Sequence, residues 1–111
     1  MEDKQKLFVV TSLSSEDVAI QLAQELLENQ HAACVNIIPH VRSIYRWKGN
    51  IVDDREAITV IKTRLDQFDS VSEIIHNISG YEVPEILAFK VAKGSKAFLN
   101  WIDSCIDGTS E

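Results

Sequence analysis

Between Ala33 and Lys62 the chain reads ACVNIIPHVRSIYRW, KGN and IVDDREAITVIK, and this stretch constrains the fold more than any other. It predicts two long extended arms joined by a tight turn at Lys48-Gly49-Asn50, since glycine between β-rich runs takes φ > 0 without steric cost. Strict alternation puts Val35, Ile37, Pro39, Val41, Ser43, Tyr45 and Trp47 on one face. Cys34, Asn36, His40, Arg42 and Arg46 fall on the other, with Ile38 and Ile44 among them. An arm of about 15 residues at ~3.3 Å each spans roughly 50 Å. A compact chain of this length has a radius of gyration near ~13 Å and a diameter of roughly 35 Å. The hairpin is therefore expected to outgrow its own body. Tyr45 and Trp47 at its tip form an apolar patch that favours cover, and a free strand edge is a template for another chain. A sharp bend at Pro39 is the alternative that weakens this inference.

The rest of the chain alternates in period. Lys6 to Leu13 holds the continuous apolar run LFVV of a covered strand. Ser14 and Ser15, followed by Glu16 and Asp17, start a helix that runs to about Asn29. Its apolar stripe is Val18, Ala19, Leu22, Ala23, Leu26 and Leu27. After the hairpin, Phe68, Val71, Ile74, Ile75 and Ile78 mark a second helix over Leu65 to Ile78, stopped by Ser79-Gly80. Tyr81 to Glu85 is a connecting turn, and Ile86 to Val91 a fourth strand. Ser95 caps a last helix that buries Phe98, Trp101, Ile102, Cys105 and Ile106. The order β-α-β-β-α-β-α predicts an α+β, ferredoxin-like sheet of strand order 4-1-3-2, with the first two helices on one face. Pro39 then falls on an edge strand, where a missing N–H is tolerated.

The 111 residues predict a single domain, 1–111, with 107–111 as a frayed tail. A net charge of −6 without a basic cluster argues against nucleic acid and anionic membranes. No apolar run approaches the ~20 residues of a membrane helix. The charged start MEDKQK does not resemble a signal peptide. Two cysteines make no disulfide scaffold, and cytoplasmic residence is expected. There is no G-x-S-x-G, P-loop, dinucleotide fingerprint, HExxH or CxxC, so nothing in the sequence supports an enzyme.

Several stretches keep a common spacing: Leu27, Ala32 to Pro39, Ser43 to Gly49, Ile61-Lys62-Thr63, Tyr81 to Ile86 and Phe98 to Trp101. Together they resemble the CutA family of divalent-cation tolerance proteins over nearly the whole chain. The resemblance implies a ferredoxin-like subunit in a tight homotrimer whose long strands pair between subunits, with an architecture similar to the PII signalling proteins. It also implies a role in tolerance of copper and other divalent metals, copper binding in some members, and no established enzymatic activity or obligatory cofactor. Two positions depart from the family pattern. Ser79-Gly80 replaces His-Pro before Tyr-Glu-Val-Pro-Glu, and His40 replaces the glycine after Ile-Pro.

Candidate sites follow. Cys34 is the metal candidate, because copper(I) favours thiolate; the competing reading is a small buried hydrophobe. A single-chain site with His40 is excluded on a straight strand, since six residues span about 20 Å. His76 reads as a surface residue, His31 as a helix-end group and Cys105 as core. Lys62, Tyr81, Glu82 and Glu85 are expected to meet at a cleft between subunits that binds a small anion or polarises a substrate; the plainer reading is an ion pair and capping contacts that fix the trimer. Asp53, Asp54, Arg55 and Glu56 read as a solvated charge run. Tyr45, Trp47 and Pro39 are expected at an oligomer interface. The leading expectation is a cytoplasmic trimer for divalent-cation tolerance with copper at Cys34. The alternatives are a PII-like small-ligand sensor and a structural trimer with a protein partner.

Overall fold

The computed structural model describes residues 4–109. Strands β1 (Lys6–Leu13), β2 (Cys34–Trp47), β3 (Asn50–Arg64) and β4 (Leu87–Lys90) form one antiparallel sheet in the order β2-β3-β1-β4. This is the predicted order read from the opposite edge. Helices α1 (Glu16–Glu28) and α2 (Phe68–Ser79) follow β1 and β3, and α3 (Lys96–Asp107) closes the chain. The second helix enters through a 3-10 turn over Leu65–Gln67, so its α-helical part starts later than the apolar period suggested.

Local chemistry accounts for the boundaries. Ser15 Oγ accepts from the Val18 N–H at 3.2 Å, and Ser95 Oγ from the Phe98 N–H at 3.3 Å. Each satisfies one orphan donor of a helix start. Gly80 ends α2 with φ 73°, a left-handed cap. The hairpin turns through Lys48 (φ 50°) and Gly49 (φ 84°), with Trp47 paired to Asn50. Two positive φ values in a two-residue loop match the right-handed twist of the flanking strands. Asp107, expected in a frayed tail, instead completes the last turn of α3 and ion-pairs with Arg64 at 2.9 Å. Residues 110–111 lie outside the described residues.

The sheet has two unlike faces. Leu7 and Val9 of β1, Ala57 and Ile61 of β3, Leu22 and Leu26 of α1 and Val71 and Ile75 of α2 are buried together and form the core. The opposite face carries Phe8 and Val10, with Lys62 and Val60 beside them, then Leu87 and Phe89 of β4 and Ile38 of β2. Leu87 is 52% exposed, Phe89 56% and Ile38 52%. Of the helices only α3 lies on this face, at one end. It is tied down by Arg64, which is 3% exposed and bonds Asp66, Asp103 and Asp107 at 2.9–3.1 Å. The fourth strand, expected over Ile86–Val91, is shorter, Leu87–Lys90, and its four residues are all exposed.

One expectation about the hairpin is overturned. The pairing steps from Ile38–Ile58 to Val41–Glu56, so Pro39 and His40 together oppose Ala57. His40 takes φ 61°, the left-handed conformation, and forms a β-bulge. The extra residue reverses the alternation. Val35 and Ile37 face the helices, whereas Val41, Ser43, Tyr45 and Trp47 share the other face with Glu56 and Asp54. Glycine would take this φ without strain, whereas a histidine carries a Cβ there. The bend does not fold the hairpin back onto the body. The molecule measures 47 × 25 × 24 Å, with a radius of gyration of 14.7 Å, against ~13 Å for a compact chain of this length.

Candidate ligand cavity beside the hairpin

The bulge decides which hairpin side chains meet the segment between α2 and β4. Because Ser43, Tyr45 and Trp47 are turned to the Glu56 face, they converge on Tyr81, Glu82, Val83 and Glu85, and with Ser12 and Ile44 they line an open cavity of about 480 Å³. That is the size of an ordinary small-molecule site. At its wall the Tyr81 hydroxyl donates to Glu56 Oε2 at 2.7 Å. Glu56 is 8% exposed, a rarity for a carboxylate and one that the hydrogen bond makes tolerable. Its place in the run Asp53-Asp54-Arg55-Glu56 predicts a solvated charge instead. The only sequence signal against that reading was its place at the hairpin base, where β3 enters the sheet.

Electrostatics follow from this lining. Burial raises the Tyr81 phenol well above its ordinary value, and the Glu56 and Asp54 carboxylates push it further. Tyr45 is raised by desolvation and then by the same two carboxylates. Both phenols stay protonated and sit in a negative field. At the rim the Lys48 ammonium lies 3.4 Å from Glu82 and 5.6 Å from the centre of the Trp47 ring.

The expected cleft is therefore brought together only in part. Tyr81, Glu82 and Glu85 line the cavity, but Lys62 does not. Lys62 points from β3 onto the uncovered face, with Nζ 5.6 Å from the Phe8 ring centre and 5.7 Å from that of Phe98. The reason is register. Lys62 lies opposite Phe8 on one side and Cys34 on the other, at the far end of β3 from Glu56. Adjacency of strand ends in the topology did not translate into adjacency of side chains.

The other sequence candidates are dispersed. Cys34 is half-buried at the start of β2, with Sγ 3.9 Å from Asn36 Oδ1, and neither cysteine is in a disulfide. Cys105 is half-buried on α3. His31 shares a 2.9 Å hydrogen bond with the Gln67 amide, so it braces the entry to α2 besides ending α1. His76 and His40 are exposed. Asp53 pairs with Arg42, with contacts of 2.6 and 3.0 Å. Among the described residues, no three His, Cys, Asp or Glu side chains are grouped so as to hold a metal ion, and no helix is long and apolar enough to cross a membrane.

The fold and the site thus define a small α+β protein with a projecting hairpin, an uncovered sheet face and a ligand-sized cavity. Comparison with known proteins narrows this. The CutA1 divalent ion tolerance protein family matches residues 7–105. The Thermus thermophilus divalent-cation tolerance protein CutA is 40% identical over 85% of this chain and 91% of its own length. Protein CutA of Mus musculus is 36% identical over 86% of this chain, which spans only 54% of that longer protein. The solved structure of the periplasmic divalent cation tolerance protein CutA from Archaeoglobus fulgidus superposes with a TM-score of 0.88 at 35% identity, covering 91% of this chain and 98% of that one. The chain belongs to the CutA1 family of divalent-cation tolerance proteins.

Proposed function

We propose that this chain acts in divalent-cation tolerance as a cytoplasmic homotrimer of ferredoxin-like subunits, without catalytic activity, and that Cys34 supplies a thiolate to copper at a subunit boundary. The observation that carries the reading is the uncovered sheet face. Ile38, Leu87 and Phe89, each more than half exposed, lie there with half-buried Phe8 and Val10. An apolar surface of that extent favours association over solvent. Cys34 opens onto the same face, opposite Lys62. A thiolate suits copper(I), but one thiol beside one amide is an incomplete ligand set, so further ligands have to come from a neighbouring copy. A sensor of small anions is less well supported, because the cavity is lined by carboxylates while Lys62 lies elsewhere.

Native mass spectrometry with and without copper under reducing conditions tests both parts. The expected species has three times the 12.5 kDa chain mass. Phe89→Lys, which sets a charge in the uncovered face, is expected to yield monomer. Cys34→Ala is expected to stay assembled and to lose copper. Equal copper uptake by wild type and Cys34→Ala removes the thiolate from the reading, and a wild-type monomer at high concentration removes the trimer.

A further inference from the structure

We propose that the cavity beside the hairpin is a binding site for organic ammonium ions, held by the faces of Trp47, Tyr45 and Tyr81 and by the charges of Glu56, Glu82 and Glu85. This goes beyond metal tolerance and does not depend on Cys34. The lining sets aromatic rings beside carboxylates and includes no lysine or arginine. That combination repels anions. It attracts cations twice, through ring quadrupoles and through formal charge. Both phenols are raised first by desolvation and then by the Glu56 and Asp54 carboxylates, in keeping with an acidic lining.

The choice between a metal ion and an organic cation is decided by spacing. Hard metal ions need oxygen ligands at about 2.0–2.6 Å, and these carboxylates do not gather into such a group. They are instead distributed around about 480 Å³, a volume that suits a ligand of several heavy atoms. The lining is apolar as well as acidic, with Ile44 and Val83 among its residues. An ion with alkyl groups on or next to nitrogen meets both kinds of surface.

The protein already displays the proposed contact on itself. The Lys48 ammonium, on a side chain 67% exposed, lies 5.6 Å from the Trp47 ring centre and 3.4 Å from the Glu82 carboxylate while still open to solvent. An ammonium is thus accepted by this ring and this carboxylate at the rim. A ligand entering the cavity competes with Lys48 for them.

Isothermal titration of the intact protein with choline chloride and with butylammonium chloride, against sodium chloride at matched ionic strength, tests the assignment. At least one ammonium probe is expected to bind with a Kd of about 1 mM or tighter. The neutral analogue of choline, with carbon in place of nitrogen, is expected to bind at least ~10-fold more weakly. Trp47→Leu and Glu56→Gln are each expected to weaken the ammonium probe about 10-fold, and Lys48→Met to tighten it, because the internal competitor is gone. Should Glu56→Gln fail to fold, Trp47→Leu and Lys48→Met, both at exposed positions, still decide the matter. No saturable binding of either ammonium probe overturns the proposal. So does equal binding of the neutral analogue, an unchanged affinity in Trp47→Leu, or binding of cupric chloride in the cavity with no response to ammonium.

Discussion

Replacing Arg64 by methionine tests what holds α3 to the body. The guanidinium donates to Asp66 at 3.0 and 2.9 Å, to Asp103 at 3.0 Å and to Asp107 at 3.1 and 2.9 Å, while the arginine itself is 3% exposed. Methionine keeps much of the aliphatic stem and removes the charge. Removing one partner of a buried ion pair costs about 3–5 kcal/mol, mostly because the other charges are left uncompensated. Here the aspartate side chains retain 16–34% exposure, so water relieves part of that cost and about 3 kcal/mol is expected. At ~4 °C per kcal/mol for a chain of this size, the melting temperature falls by about 12 °C. Both proteins are compared at the same protomer concentration, since any assembly makes melting depend on it.

The pH dependence supplies the sign. Burial alone raises Asp103, but hydrogen bonds from Lys6 and Arg64 outweigh it and hold the carboxyl below its ordinary value. For Asp107 the Arg64 bonds lead, opposed by desolvation, and the net shift is again downward. For Arg64, desolvation lowers and the bonds to Asp107, Asp66 and Asp103 raise, with a net rise, so it stays charged throughout. A carboxylate with a depressed folded pKa stabilises above its unfolded pKa, near ~4, and that stability is lost as pH falls through the folded value. The gap between wild type and Arg64→Met is therefore full at neutral pH and shrinks below about pH 4. A gap under ~1 kcal/mol at neutral pH, or one that persists undiminished in acid, refutes the account.

Two further substitutions probe the backbone and the core. His40→Gly removes a side chain from a left-handed position at φ 61°; relief of ~1–2 kcal/mol, less the greater freedom of glycine in the unfolded chain, leaves a gain of about 0.5–1 kcal/mol in urea denaturation. A loss of stability in that variant means the bulge is not strained. Thr59→Val deletes a buried hydroxyl with no hydrogen-bond partner, opposite the equally orphaned Thr11 hydroxyl. The near-isosteric valine is expected to raise stability by about 1 kcal/mol, and a lower melting temperature contradicts that.

Much of the fold was legible because it is written in local chemistry. Ser15 and Ser95 as caps, Gly80 as a stop and Gly49 as a turn are short-range requirements, and each took the predicted role. The apolar run of β1 implied a covered strand, and β1 lies between β3 and β4. The length of the two arms implied a body longer than it is wide, and the long axis is about twice the others. The site was less legible. Tyr81, Glu82 and Glu85 share one short segment and line the same cavity, whereas Glu56 reaches it from β3 and Lys62 of this chain lies on the uncovered face.

The residues alone decided the order of elements, their ends and the excess length of the hairpin, because each depends on neighbours a few positions away. Tertiary structure decided which face each hairpin side chain serves. Alternation predicts a face only while pairing runs without interruption, and the pairing skips one residue at Pro39 and His40. That skip turns Ser43, Tyr45 and Trp47 toward Glu56 and Tyr81, and no count along the chain could place it before β2 and β3 were laid side by side.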